Sequence, residues 1–454
     1  MRRPCFVSHF VILAGVASAI PVQAAPDLPK IVGKLPAPET FSLPNGLQVA
    51  VLHSDVAPVV SVQVWYHAGS KDEPREHRGT AHMFEHMMFQ GTEHIRPQMH
   101  GQSIEWLGGY VNAATDEDAT HYINTLPASD VDYAIRLEAD RMRNLRFAKP
   151  LVDGERQVVE AEIRQQAQSP FAMGLARCLA VAYQKHPYAS MATGVVKELD
   201  ATTPEDLKKF YDAYYQPGNA LLVVVGKVAV GDVKASAEKW FGPIAKAGDP
   251  PRPAAASQEP PQTVRRREVV DPGPLGLTLV GWHIPPAKDK DIYALQLAVN
   301  LLGTGDGSRL KTRLKATDAK TKRPLALDGG MSPFIREDAG MLIALGAYID
   351  PAAADAVEAA IFDEIARLAA RGPGGDELRK AKNQIEASFV FSLESVQGMG
   401  EAIGRSWIFN GNPRAFLTEA DDLDRVSPGD VQRVVKQYLA PDRATVVVIP
   451  PKAR

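Results

Sequence analysis

The chain has 454 residues, 45% of them hydrophobic and 23% charged, with a formal net charge of -3 at pH 7. That is a globular composition, long enough for two or three domains of ordinary size. It lacks the basic excess of a nucleic-acid binder, so no nucleic-acid partner is expected.

Residues 1–24 differ from the rest. Arg2 and Arg3 precede an apolar stretch, FVSHFVILAGVASAI, and then PVQAAP. A charged start, a short apolar run and small residues before a cut describe a secretory signal, with Val22 and Ala24 at the recognised positions. Cleavage is predicted after Ala24, giving a periplasmic or secreted protein. The run is short for a membrane span and His9 interrupts it, so no stable span is predicted. Cys5 leaves with the signal, and Cys178, in the apolar context LARCLAVAY, reads as a structural free thiol.

The segments LQVAVLH (47–53) and SVQVWYH (61–67) read as strands. Next comes GTAHMFEHMMFQGT (79–92). On a helix, positions i, i+3 and i+4 share a face, so His82, Glu85 and His86 stand together. Two imidazoles one turn apart can hold one Zn²⁺, and a glutamate between them can take a proton from the attacking water. The bland alternative is a helix that carries these residues by chance. Met83, Phe84, Met87 and Met88 argue against it. They imply a buried helix, where Glu and His are costly unless paired or coordinating.

Catalytic zinc needs a third protein ligand. GERQVVEAEIRQQ (154–166) has helical character and offers Glu155, Glu160 and Glu162. Glu155 and Glu162 are two turns apart on one face, whereas Glu160 points elsewhere. One carboxylate could be a ligand and the other its support. A solvated acidic face is the alternative.

The chain repeats itself. TPEDLKKFYDAYYQPGNALLVVVG (203–226) aligns without a gap with SPGDVQRVVKQYLAPDRATVVVIP (427–450), at an offset of 224 residues. Each begins with a capping residue and Pro, carries Asp at N3, and runs through an amphipathic helix and a turn into a β-branched strand. The repeat predicts a duplicated domain. Between the copies lies AGDPPRPAAASQEPPQ (247–262), a Pro-rich extended linker. The predicted organisation is a signal at 1–24, a metal-binding half at 37–246, the linker, and a second half at 263–454. Strands such as LGLTLVGWH (275–283) mix with long helical patterns such as DELRKAKNQIEASFVFSLES (376–395), so each half is α+β with antiparallel sheet.

HMFEH, followed after 75 intervening residues by Glu162, resembles the pitrilysin-type (M16) zinc peptidases, in their short branch similar to mitochondrial processing peptidase. The likeness covers nearly the whole mature chain. FSLPNGLQVAVLHSDVAPVVSVQVWYHAGSKDEP is similar to the family's first strands, and GGYVNAATDEDATHY (108–122) to its edge strand. The resemblance implies two homologous α/β-sandwich-like halves and one zinc per chain, held by His82, His86 and Glu162. It implies Glu85 as general base, Glu155 as a supporting glutamate, and pairing of an extended peptide with Asn112 and Ala113. It also implies a dimeric clamshell around a chamber.

One part of the likeness fails. Active relatives carry an Arg and, seven residues later, a Tyr in the second half. In GSRLKTRLKATDAKTKRPLALDGG (307–330), Lys315 stands where Arg is expected and PLAL ends in Leu327. Arg313, Arg323 or Tyr348 are the candidate substitutes. The expectation is therefore an exported zinc endopeptidase, the zinc-bearing subunit of a dimer whose partner supplies the Arg/Tyr pair, or else a homodimer. A non-catalytic scaffold of the same fold is the alternative, and a zinc hydrolase acting on non-peptide substrates is a third reading. Eight of the eleven histidines lie between His53 and His121. Apart from His82 and His86 none has ligand spacing, so surface or loop roles are expected for them.

Overall fold

The computed structural model describes residues 35–252, 259–317 and 322–452. The expected signal at 1–24 and the middle of the linker lie outside the described residues.

The first half opens with strands β1 (Glu39–Ser42), β2 (Gln48–His53) and β3 (Val59–Tyr66). Helices α1 (Thr80–Met87) and α2 (Met99–Trp106) lead into β4 (Tyr110–Thr115) and β5 (Thr120–Pro127). Five helices follow: α3 (Val131–Arg143), α4 (Lys149–Gln166), α5 (Pro170–Ala182), α6 (Val196–Ala201) and α7 (Pro204–Tyr214). The half closes with β6 (Ala220–Gly226) and α8 (Val230–Trp240). The second half repeats the plan with β7 (Arg266–Val269), β8 (Gly276–His283), α9 (Ile292–Gly303), α10 (Arg309–Lys315), β9 (Asp328–Phe334) and β10 (Met341–Tyr348). It ends with α11 (Ala354–Arg371), α12 (Gly375–Ser392), α13 (Val396–Asn410), α14 (Glu419–Asp424), α15 (Pro428–Tyr438) and β11 (Thr445–Ile449).

The duplication is visible in the sheets. The first has the order β1-β2-β6-β3-β5-β4 and the second β7-β11-β8-β10-β9. Apart from β1 the two orders are the same. In each, the strand that closes the repeat lies inside the sheet, parallel to the first strand of the shared order and antiparallel to the next. The expected antiparallel sheet thus includes one parallel pair per half. The closing strands, ALLVVVG and TVVVI, are buried along their whole length, as their unbroken apolar runs require. The helices before them carry complete capping boxes, Thr203 with Asp206 and Ser427 with Asp430, as their sequences predict.

The halves are not closed units. Each sheet packs one face on its own helices and the other on a helix from the opposite half. On the first sheet, Leu52, Trp65 and Val223 meet Ile403, Trp407 and Ile408 of α13. On the second, Leu279, Ile343 and Val447 meet Leu175, Cys178 and Leu179 of α5. Helix α13 lies very close to its sheet, since a Cβ at Gly404 would come within 2.1 Å of the Trp65 ring. Burial pushes the Cys178 thiol up to about 12, so it is an inert apolar group, as its context predicts.

The turn between β9 and β10 crosses to the first half. Glu337 donates its backbone N–H to Asp118 Oδ2 at 2.9 Å, Arg336 pairs with Glu117 at 2.6 Å, and Lys71, paired with Asp118 at 2.8 Å, also pairs with the Glu337 carboxylate. The flanks of the linker are also held. Arg252 donates to the His67 carbonyl and to Asn219 Oδ1, both at 2.7 Å, and Glu259 accepts three backbone N–H groups at 184–186.

Candidate metal centre

Helix α1 starts without a side-chain cap of its own, from Gly79 at φ 105. Its free N–H groups are taken by Glu73, which accepts from Gly79 at 3.0 Å and from Ala81 at 2.8 Å. Burial pushes the Glu73 carboxyl up to about 8 against the pull of these two N–H groups. Ala81, Met83, Phe84 and Met87 face the core, with Phe84 against Tyr211 and Tyr215. The remaining face carries His82, Glu85 and His86.

Helix α4 crosses that face. Glu155 and Glu162 point to α1, whereas Glu160 pairs with Arg164 at 2.7 Å, as the helical spacing predicts. His82 Nε2 and His86 Nε2 lie 3.5 and 3.6 Å from the same oxygen, Glu162 Oε2. One donor atom from each of the three residues falls within 4.8 Å of the others, and theirs is the one such group among the described residues. Tetrahedral zinc with bonds of about 2.0–2.1 Å sets its ligands roughly 3.3 Å apart. The observed separations therefore fit the ion with little adjustment.

The outer ring nitrogens are occupied. His82 Nδ1 is 3.3 Å from the Thr193 carbonyl oxygen, and His86 Nδ1 is 3.2 Å from Glu155 Oε2. Glu155 Oε1 accepts in turn from Gln90 Nε2 at 2.6 Å. Both imidazoles are thus oriented with Nε2 inward, the usual arrangement for ligating histidines. Without an ion, burial lowers the proton affinity of His86, but its bonds to Glu155 and Glu162 outweigh that and raise it to about 10. Hydrogen bonds from His82 and His86 hold Glu162 down at about 2. The centre is built for positive charge.

Glu85 stands outside the donor cluster and accepts a hydrogen bond from Thr115 Oγ1 at 2.6 Å. Thr115 ends β4, the last strand of its sheet. Asn112 and Ala113 lie in the same strand, paired with Ile123 and Tyr122 of β5. Among the described residues no strand lies beside the other edge of β4, so an extended peptide can pair there.

The second half does not bring its expected substitutes to the surface as a pair. Tyr348 is buried at 1% exposure with its hydroxyl 3.1 Å from Thr278, so the expectation that it could stand in for the missing Tyr is corrected. Lys315 pairs with Asp328 at 3.6 Å, and Leu327 is exposed. Arg313 and Arg323 are exposed.

The expectation of surface or loop roles holds for His53 and His94, which pair with Asp55 and Asp140. It is corrected for His100 and His121. His100 is buried on α2 against Asn124 at 3.0 Å. His121 lies in β5, stacked on Trp65 at 3.9 Å, and burial drives it down to about 3. Both pack as neutral rings. Sequence reasoning also missed Thr115, Gln90, Glu73 and Thr193. Gln90, one turn beyond His86, had the one legible spacing among them.

Residues 48–194 match the family described as Insulinase (Peptidase family M16), and residues 201–385 match its companion, the Peptidase M16 inactive domain. Among curated relatives, zinc protease PqqE of Helicobacter pylori is 29% identical, across 98% of this chain and 100% of the relative. A probable mitochondrial-processing peptidase subunit beta of Arabidopsis thaliana is 28% identical over 89% of this chain and 77% of its own length. Among solved structures, a Helicobacter pylori protease superposes with a TM-score of 0.85 at 28% identity, covering 92% of this chain and 100% of that one. An M16 inactive-domain structure from Pseudomonas fluorescens has a TM-score of 0.82 at 19% identity, covering 92% of this chain and 98% of the other, a likeness of fold.

Proposed function

The chain belongs to the M16 peptidase family, with its two domains in order, and from that premise we propose that it is a zinc-dependent endopeptidase acting on peptides or unstructured polypeptide. One observation carries this reading: His82, His86 and Glu162 turn three donor atoms to one point beside the Glu85 carboxylate and an open strand edge. In this reading His82, His86 and Glu162 hold one zinc per chain. When bound, the metal polarises the scissile carbonyl and makes water acidic enough to be activated at neutral pH.

The chain's own residues do the rest. Glu85 takes a proton from the attacking water and passes it to the leaving amine. Glu155 holds His86 in the ligating orientation, and Thr193 does the same for His82 through its carbonyl. Asn112 and Ala113 align the substrate backbone along β4. The N-terminal stretch supports export to the periplasm or beyond, and no helix among the described residues is long and apolar enough to cross a membrane.

The chain lacks the Arg/Tyr pair at 315–327, and Tyr348 is buried. We therefore read it as the zinc-bearing subunit of a dimer whose partner presents that pair. The same observation favours the second reading, a scaffold member without activity of its own. The test is cleavage of quenched fluorescent peptides by the purified protein, with zinc removed by chelator and restored. Zinc-dependent cleavage supports the peptidase. Full zinc occupancy with no cleavage, alone or with a partner chain, supports the scaffold.

A further inference from the structure

We infer that Thr115 is a positioning residue that fixes the carboxylate of Glu85 and ties it to the strand that receives substrate. The inference rests on the peptidase reading above. It begins with the proton inventory around one hydroxyl. Thr115 has a single O–H, and it points to Glu85 Oε2 at 2.6 Å. The other hydroxyl within reach is Thr120 Oγ1, at 3.3 Å. That group donates its own proton to the Ala68 carbonyl at 3.0 Å. Between the two acceptors within reach of the Thr115 proton, the Glu85 carboxylate is the nearer and, being charged, the stronger, so the proton goes to Glu85.

A general base must hold one oxygen against the water while its other oxygen is restrained, because a carboxylate turns freely about its last bond. Among the described residues Thr115 makes the one side-chain hydrogen bond to Glu85. It binds Oε2 and leaves Oε1 for the water.

The hydroxyl is delivered by backbone fixed on both sides. Thr115 faces Thr120 in the β4–β5 register. Next to it, Asp116 Oδ1 accepts the N–H groups of Asp118 and Ala119, both at 2.8 Å. Asp118 is then gripped from the second half by the Glu337 N–H at 2.9 Å, and Glu117 by Arg336 at 2.6 Å. The second half thus helps place the base, although among the described residues it contributes no ligand to the centre. Because Asn112, Ala113 and Thr115 share one short strand, a peptide paired along β4 and the base it needs become parts of one rigid unit.

The test compares Thr115→Val, which keeps the shape and loses the O–H, with Thr115→Ser, which keeps the O–H. The Val variant should retain zinc content and melting temperature, keep KM within about twofold, and lose kcat by about ten- to a hundredfold, the worth of one hydrogen bond to a charged group. The Ser variant should restore most of kcat. In a crystal structure of the metal-free Val variant, the Glu85 carboxylate should leave its wild-type orientation. Unchanged kcat in the Val variant, or loss of zinc and stability that Ser does not repair, overturns the inference. If the wild-type protein cleaves no peptide, alone or with a partner chain that carries the Arg and Tyr, the peptidase reading has failed instead. The metal-free structure then decides alone, and Glu85 keeping its orientation without the hydroxyl overturns the positioning role.

Discussion

Glu155 Oε2 lies 3.2 Å from His86 Nδ1 while Gln90 Nε2 holds the other oxygen of the same carboxylate at 2.6 Å. The contact accounts for a glutamate seven residues before a ligand on one helix. It orients the imidazole and makes it more basic toward a cation on its far side. Glu155→Gln should weaken zinc binding about ten- to a hundredfold with the fold intact. Competition with a zinc chelator checks this, and unchanged affinity would remove Glu155 from the centre.

Zinc uptake should release a proton. His86 in the metal-free protein titrates at about 10, so at neutral pH it is protonated and must lose that proton to ligate. Apparent zinc affinity should rise about tenfold per pH unit between pH 6 and 8, and calorimetry in buffers of different ionisation enthalpy should count about one proton per zinc. Affinity independent of pH would contradict the account.

The metal-free protein carries a related signature. His86 is raised from 6.5, so its contribution to stability is complete below 6.5 and fades as pH rises through about 10. Glu162 is lowered from 4.5, so its contribution is complete above 4.5 and fades as pH falls through about 2. From these two groups, the chelated protein gains its full stability between 4.5 and 6.5. Thermal unfolding across pH with chelator present reads this directly.

The exchanged helices make each half dependent on the other. Gly404→Ala places a Cβ 2.1 Å from the Trp65 ring and should cost about 1–3 kcal/mol. Denaturant unfolding measures it. Because Leu52, Trp65 and Val223 are covered by α13, the first half expressed alone should aggregate and be rescued by co-expression of the second.

The purified protein alone should hold zinc yet cleave slowly. Adding an M16 chain that carries the Arg and Tyr should raise kcat by about a hundredfold or more, the usual worth of an oxyanion donor. Full activity of a homodimer would end the subunit assignment.

Much of the fold and centre was legible because it follows a period. The gapless repeat fixed two like halves, and both sheets have the same strand order. The spacings of His82, Glu85 and His86, and of Glu155 and Glu162, placed five side chains on two facing helices. What stayed hidden depends on three dimensions. An apolar helix face does not name the sheet it covers, so the crossing of α5 and α13 left no mark. Thr193 acts through a carbonyl, which every residue has. Thr115 acts through a hydroxyl indistinguishable in sequence from any strand threonine. His121 looked polar but packs as an aromatic ring against Trp65. Tyr348 looked available but fills the second core.

The most direct test replaces Glu85 with Gln, which keeps size and polarity and cannot take a proton. Zinc content and peptide cleavage are measured together, on the chain alone and with its partner. The account predicts one zinc per chain in both proteins and a loss of kcat of about a hundredfold or more in the variant, the share of a general base. A variant that cleaves as the wild type does, or a wild-type protein that binds no zinc, would contradict it.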